Sequence, residues 1–324
     1  MARHAENLFD GEAERAAFLE ALASGECREQ AVVALRESPA LGALPRKRPA
    51  PWQPPWVLRI DDSIRAAKHP LHRKGAIYSL DLSSVFAASL MLAIEAPPRR
   101  VLDLCAAPGG KSVFAWRAFG PEVLVCNETI RKRCGPLIDN LERCGIAGSC
   151  VASADPSVWA RRFPAAFDLV IVDAPCSGQS LLAKGDAAPG CFEPGMIDMC
   201  HSRQRRILGN AARCVRPGGH LLYMTCAYVV KENEKPVAWL LREYDWLEAV
   251  AVASHEAHRS RHAGFPAYRL FPHQAYGAGG FACLLRHTGP AEGEPPPLDT
   301  MPVFWRQGQP PNPNIKPRRR TEAG

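Results

Sequence analysis

The chain has 324 residues, 47% of them hydrophobic and 23% charged, with a formal net charge of +7. That is enough chain for one large core with appendages, and no apolar run approaches the roughly 18 residues a membrane span needs. The opening MARHAENLFDGE lacks an apolar h-region, so a cytoplasmic monomer is expected, and the modest positive charge permits a polyanionic partner without demanding one.

Residues 5–37 read as two short helices, with Phe9, Phe18, Leu19, Leu22, Val32, Val33 and Leu35 on their apolar faces. Six prolines from Pro39 to Pro55 then interrupt any regular element, with the triplet Arg46, Lys47, Arg48 and the tryptophans Trp52 and Trp56 interleaved. Two readings stand: a linker stapled to the main domain through its tryptophans, or an arm that contacts nucleic acid. His69, His72, Arg73 and Lys74 form a second basic cluster, either solvated or touching phosphate, ahead of a helical run from Leu82 to Ile94. From Arg99 onward strands and helices alternate. Strands are predicted at 100–104, 122–126, 148–152, 167–172, 220–224 and near 281–285, and helices at 111–119, 131–144, 196–215 and 232–243. This alternation predicts an α/β fold, a mostly parallel, doubly wound, twisted sheet with helices on both faces. After Arg286 the chain turns Pro-rich and ends KPRRRTEAG, which reads as a disordered basic tail. The expected division is an extension over 1–74, a catalytic domain over 75–287 and the tail over 288–324.

The chemistry concentrates at three strand ends. VLDLCAAPGGKS, Val101 to Ser112, is a buried strand, a loop of small residues and the start of a helix. Glycines there let the backbone approach a ligand closely, and the helix amides favour electron-rich groups. The pattern is neither GxGxxG nor GxxxxGK[ST], which disfavours a dinucleotide and a phosphate-cradling loop. Glu128 follows the next apolar run, where a carboxylate roughly 20 residues on can hold a ribose hydroxyl pair. The second strand end carries Asp173, Ala174, Pro175, Cys176, Ser177 and Gly178, and the third carries Thr225 and Cys226 ahead of Glu232, Asn233 and Glu234. If those two strands are neighbours, two thiols and a carboxylate meet on one rim of the sheet. Glu232 and Glu234 either favour the first turn of a helix or orient the cysteine loop. The twelve cysteines include no CxxC pair, and Cys191, Cys200, His201 and Cys214 match no common zinc spacing, so reduced thiols and no metal are expected.

LDLCAAPGGK, DAPCSG and YMTCAYVVKENE, in that order, resemble the Nol1/Nop2/Sun family of S-adenosylmethionine-dependent RNA cytosine-C5 methyltransferases, with a Rossmann-like fold. The resemblance runs from about Gly75 to Arg286. It implies that Cys105, Ala106, Ala107, Pro108, Gly109, Gly110 and Lys111 wrap the methionine end of S-adenosylmethionine. It further implies Glu128 on the ribose, Arg133 on the cofactor side, Asp155 at the adenine edge and Asp173 between cofactor and base. Cys226 would be the nucleophile and Cys176 would assist product release. The implied partner is rRNA or tRNA in a single-stranded or loop region, since the target base must leave any stack. Glu128 stands where aspartate is usual, the segment GQSLLAKGDAAPGCF replaces the commoner basic run after the Pro-Cys loop, and no family RNA-positioning region aligns before Gly75. A non-catalytic RNA-binding factor of ribosome assembly on the same fold is the rival reading. A DNA cytosine methyltransferase is the other; it would place its nucleophile in the Pro-Cys motif, which is Cys176 here.

Overall fold

The structure is a computed structural model that describes residues 1–290 and 296–309. The N-terminal part runs α1 (Ala2–Leu8), α2 (Glu12–Ser24), β1 (Gln30–Ala34), α3 (Pro39–Gly42), β2 (Val57–Arg59), α4 (Pro70–Arg73), β3 (Ile77–Asp81) and α5 (Leu82–Ser89). Then follow β4 (Arg100–Asp103), α6 (Gly110–Phe119), β5 (Val123–Asn127), α7 (Cys134–Cys144), β6 (Ser149–Ala152), α8 (Pro156–Arg162) and β7 (Phe167–Asp173). The remainder is α9 (Ser180–Ala183), α10 (Pro194–Cys214), β8 (Val215–Thr225), α11 (Glu234–Glu243), β9 (Leu247–Ala249), β10 (Tyr268–Leu270), β11 (Gly280–His287) and β12 (Val303–Arg306).

The main sheet has nine strands in the order β10-β11-β8-β7-β4-β5-β6-β12, with β9 beside β11. Its centre, β8 through β6, is parallel, and the flanking strands are antiparallel. Alternation along each central strand explains why both faces are covered. In β7, Leu169 and Ile171 join one core layer with Phe86 and Phe114, whereas Val170 and Val172 join the other with Trp159 and Leu208. A strand buried on both faces must be apolar throughout, and FDLVIV is apolar but for Asp168. Strand order reverses at β4, so the loops after β4 and β7 open a crevice at the carboxyl edge, where ligands bind in such sheets.

Two expectations are corrected. Residues 30–34 are a strand, not the end of a second helix: β1 pairs antiparallel with both β2 and β3, and Ala31, Val32 and Val33 are fully buried. The β-branched pair Val32 and Val33 suits that pleated, two-sided environment better than a helix surface. The resulting three-stranded sheet spans the boundary expected at 74/75. The tail is not irregular from its start: Val303–Arg306 pairs with β6 and buries Trp305, covering what would be an open sheet edge. The terminal KPRRRTEAG lies outside the described residues.

The tryptophan staple holds. Trp52 packs edge-on against Phe86 at 5.2 Å and Trp56 against Phe114 at 4.7 Å. All twelve cysteines are free thiols. Among the described residues no helix is long and apolar enough to cross a membrane and no cluster of His, Cys, Asp and Glu could hold a metal.

Candidate active site

The glycine loop is held at its base by Asp103, whose Oδ2 accepts from Ser112 Oγ at 2.7 Å and whose Oδ1 accepts from the Cys105 amide at 3.3 Å. Complete burial pushes the Asp103 carboxyl up to about 7. Gly109 stands at φ 114°, a conformation that glycine adopts without strain, and a Cβ on Gly110 would lie 2.5 Å from Leu80 Cδ2. A side chain at Gly109 would meet Leu137 and one at Gly110 would meet Leu80, so the close packing of the loop against α7 and β3 requires glycine at both. Burial holds the Cys105 thiol well above its ordinary range, so this third cysteine near the site stays protonated.

One strand over, Glu128 is buried and its carboxylate accepts from the Ile130 amide at 2.8 Å and pairs with Arg133 Nη1 at 3.0 Å. Each oxygen keeps a lone pair free, which is what a ribose diol needs. Arg133 also donates to Ala107 O at 2.8 Å, tying the carboxylate to the glycine loop. Asn127, which carries no motif of its own, knits the neighbouring loops by donating to Leu104 O and Ala154 O and accepting from the Ala154 amide. Asp155, three residues beyond β6, caps α8 with both oxygens engaged, by the Ser157 amide at 3.0 Å and Arg206 at 2.8 Å.

Because β7 and β8 are hydrogen-bonded neighbours with Asp173 beside Met224, the loops that follow them meet. Cys176 Sγ and Cys226 Sγ are 3.1 Å apart. The hydrogen bond from Cys176 lowers the Cys226 pKa against the opposing effect of burial, while the same bond, with burial, holds the Cys176 thiol well above its ordinary range. Of the two sulfurs, Cys226 is the one whose ionisation the pair favours, and Cys176 the one whose ionisation it opposes. Lys111 turns away from the glycine loop to pair with Asp173 at 2.7 Å and to donate to Ser84 Oγ at 3.2 Å. Burial is the largest influence and works against its charge, but Asp173, with Cys226 and Asp103, outweighs it and holds the lysine pKa up. A cavity of about 40 Å³ lies between Cys226, Asp173, Lys111, Lys184 and Asp81. Lys184 pairs with Asp81 at 3.0 Å.

Of the supports, Gln179 and Arg269 have no signal in spacing, whereas Glu232 and Glu234 stand among the sequence candidates. Glu232 accepts from the Ser177 amide at 2.8 Å and from Gln204 Nε2 at 3.1 Å, so it orients the Pro-Cys loop rather than a helix turn. Gln179 spans both cysteine loops, accepting from the Tyr228 amide at 2.6 Å and donating to Cys191 O at 2.9 Å. Arg269 and Glu234 form a buried ion pair behind the Cys226 loop.

Residues 90–286 match the family described as 16S rRNA methyltransferase RsmB/F. The chain belongs to this family. The Nol1/Nop2/Sun resemblance and the Rossmann-like fold expected from the motifs are thereby borne out. Relatives of this RsmB/F chain include ribosomal RNA small subunit methyltransferase F of Klebsiella pneumoniae, 33% identical over 201 residues, covering 60% of this chain and 42% of the relative. The Cronobacter sakazakii protein of the same name is 32% identical over 267 residues, covering 79% and 55%. The chain spans about half the length of these curated relatives. In fold it is similar to a methyltransferase homolog protein from Pyrococcus horikoshii, with TM-score 0.72, 21% identity, 88% of this chain and 93% of that one. It is likewise similar to NSun6 from the same organism, solved with SFG, with TM-score 0.68, 18% identity, 89% and 98% coverage. S-adenosylmethionine is the cofactor of this methyltransferase family, and the half-satisfied Glu128 carboxylate fits it.

Proposed function

We propose that this RsmB/F-family chain methylates carbon 5 of a cytosine in RNA, ribosomal RNA foremost, through a covalent adduct on Cys226. The observation that carries the reading is the meeting of Cys226 and the Asp173–Lys111 pair at one cavity, with Cys176 Sγ 3.1 Å from Cys226 Sγ.

Carbon 5 of cytosine is too weak a nucleophile to take a methyl group unaided. Cys226 Sγ adds to carbon 6, which places electron density on carbon 5, while Asp173 and Lys111 lie where they can hydrogen-bond the ring and offset its charge. The glycine loop and the Glu128 carboxylate would hold S-adenosylmethionine, which when bound would supply an electrophilic methyl group. Methyl transfer to carbon 5 would leave S-adenosylhomocysteine. A base then takes the carbon 5 proton, and that electron pair restores the double bond between carbons 5 and 6 as the carbon 6–sulfur bond breaks. Cys226 leaves as a thiolate, with the Cys176 thiol 3.1 Å away to hydrogen-bond it.

The test is incubation with labelled S-adenosylmethionine and total ribosomal RNA, with modified cytosines mapped by sequencing. Cys226→Ala should lose both methyl transfer and adduct, and Cys176→Ala should accumulate a covalent RNA complex on a denaturing gel. Normal turnover by Cys226→Ala overturns the nucleophile, and loss of adduct only in Cys176→Ala moves the assignment to a DNA-type scheme.

A further inference from the structure

We propose that a basic groove on the three-stranded N-terminal sheet is a single-stranded RNA site that receives the strand flanking the target cytosine; this rests on the RNA substrate proposed above. The groove encloses about 860 Å³. Four of its lining side chains are basic, Arg46, Lys47, Arg48 and Arg59, and none is acidic. Glu29 and Asp62 hold Lys47 and Arg59 from outside the lining, at 2.7–3.0 Å. Arg46 and Arg48 are exposed and have no carboxylate partner among the described residues. The groove is therefore a positive strip whose two outer cations are available to phosphate.

Its walls suit a single strand. Pro49, Pro51, Pro54 and Pro55 fix the backbone, so little ordering is left to be lost on binding. Tyr276 is partly exposed, lines the groove and has the Arg59 guanidinium 5.4 Å from its ring centre. An aromatic ring beside cations stacks a base while its neighbours meet phosphate.

The groove also leads to the cysteines. Arg59 Nη2 donates to Ala275 O at 3.0 Å, which ties the N-terminal sheet to the loop before β11. On that loop Tyr276 lines the groove, and Gly279 and Gly280 line the cavity at Cys226. Three residues of extended chain span at most about 11 Å, so groove and nucleophile are joined by one short backbone segment. A strand whose cytosine is turned into the cavity can thus lay its flank along Tyr276 and the arginines.

The test uses the full chain and a fluorescein-labelled oligocytidylate RNA of about 12 nucleotides, within ordinary single-strand site sizes, by anisotropy over a salt series. Arg46→Glu/Arg48→Glu should weaken binding at least about tenfold and flatten the slope of log affinity against log salt by about 1.4, two phosphates at about 0.7 each. Tyr276→Ala should weaken binding about tenfold with little change in slope. S-adenosylhomocysteine binding, measured by calorimetry, should be the same in all variants. Unchanged RNA affinity and slope in both variants, with wild type binding well, overturn the groove and leave the RNA reading standing. Failure of the wild type to bind oligocytidylate at low salt, with S-adenosylhomocysteine still bound, overturns the RNA reading and the groove together. Equal loss on duplex DNA, with Tyr276→Ala indifferent, overturns the single-strand assignment in favour of a general polyanion surface.

Discussion

Replacing Arg269 with Met should destabilise the protein far more than replacing Arg269 and Glu234 together. The side chains of Arg269 and Glu234 are 4% and 3% exposed and meet through two contacts of 2.5 Å, Nε to Oε1 and Nη2 to Oε2. Arg269 Nη1 also donates to Tyr228 O at 2.5 Å, two residues beyond Cys226, and Ser260 Oγ donates to Glu234 Oε1. Methionine keeps the aliphatic stem but strands a buried carboxylate with one hydroxyl for company. Breaking a buried pair in this way costs roughly 3–5 kcal/mol, whereas an apolar replacement of both partners is often neutral or better. Arg269→Met should therefore lose about 4 kcal/mol in urea unfolding, and Arg269→Met/Glu234→Leu should recover most of it, a coupling of about 3 kcal/mol in a double-mutant cycle. Because Tyr228 O loses its donor in both, kcat should stay depressed in the double variant even where stability returns. A single variant that loses under about 1 kcal/mol, or a double that is no more stable than the single, refutes the reasoning.

Two further outcomes follow from the titrating groups. His255 is fully buried among Ser89, Phe86 and Ser254, and burial lowers its pKa to about 4. The unfolded chain, near the ordinary 6.5, then binds a proton that the folded one refuses, so stability falls as pH drops below about 6.5 and the loss is complete below about 4. At about pH 5 the contribution is roughly 2 kcal/mol, and His255→Gln should lose that part of the pH dependence of the urea midpoint; an unchanged dependence counts against a neutral buried imidazole. Lys184 is one of the groups that lower the Cys226 pKa, after the hydrogen bonds from Cys176 and Ser180. Lys184→Met should accordingly move the acid limb of the kcat/KM profile to higher pH, and a profile that only drops without moving would reduce Lys184 to packing.

Much of the site is legible in the amino-acid sequence because its chemistry is local. The small residues from Ala106 to Gly110 announce a close backbone approach, and Glu128 follows its strand directly, so each needs only its own loop to be recognised. The supports are a different matter. Gln179, Asn127 and Arg269 act on residues remote in sequence, and no period or motif connects Gln179 with Tyr228 or Arg269 with Glu234. That Glu232 anchors a loop, and that the tryptophans pack onto the main domain, likewise rest on contacts between distant residues.

What the sequence determined by itself is the central parallel sheet and the three loops at its carboxyl edge, since double-sided burial makes each strand continuously apolar and each loop carries its own residue types. Tertiary structure alone decided that β7 and β8 are neighbours, which turns two cysteines fifty residues apart in the chain into a pair 3.1 Å apart. It also decided that Gln30–Ala34 and Val303–Arg306 are strands, because short segments of mixed propensity take the conformation that pairs them with an existing edge.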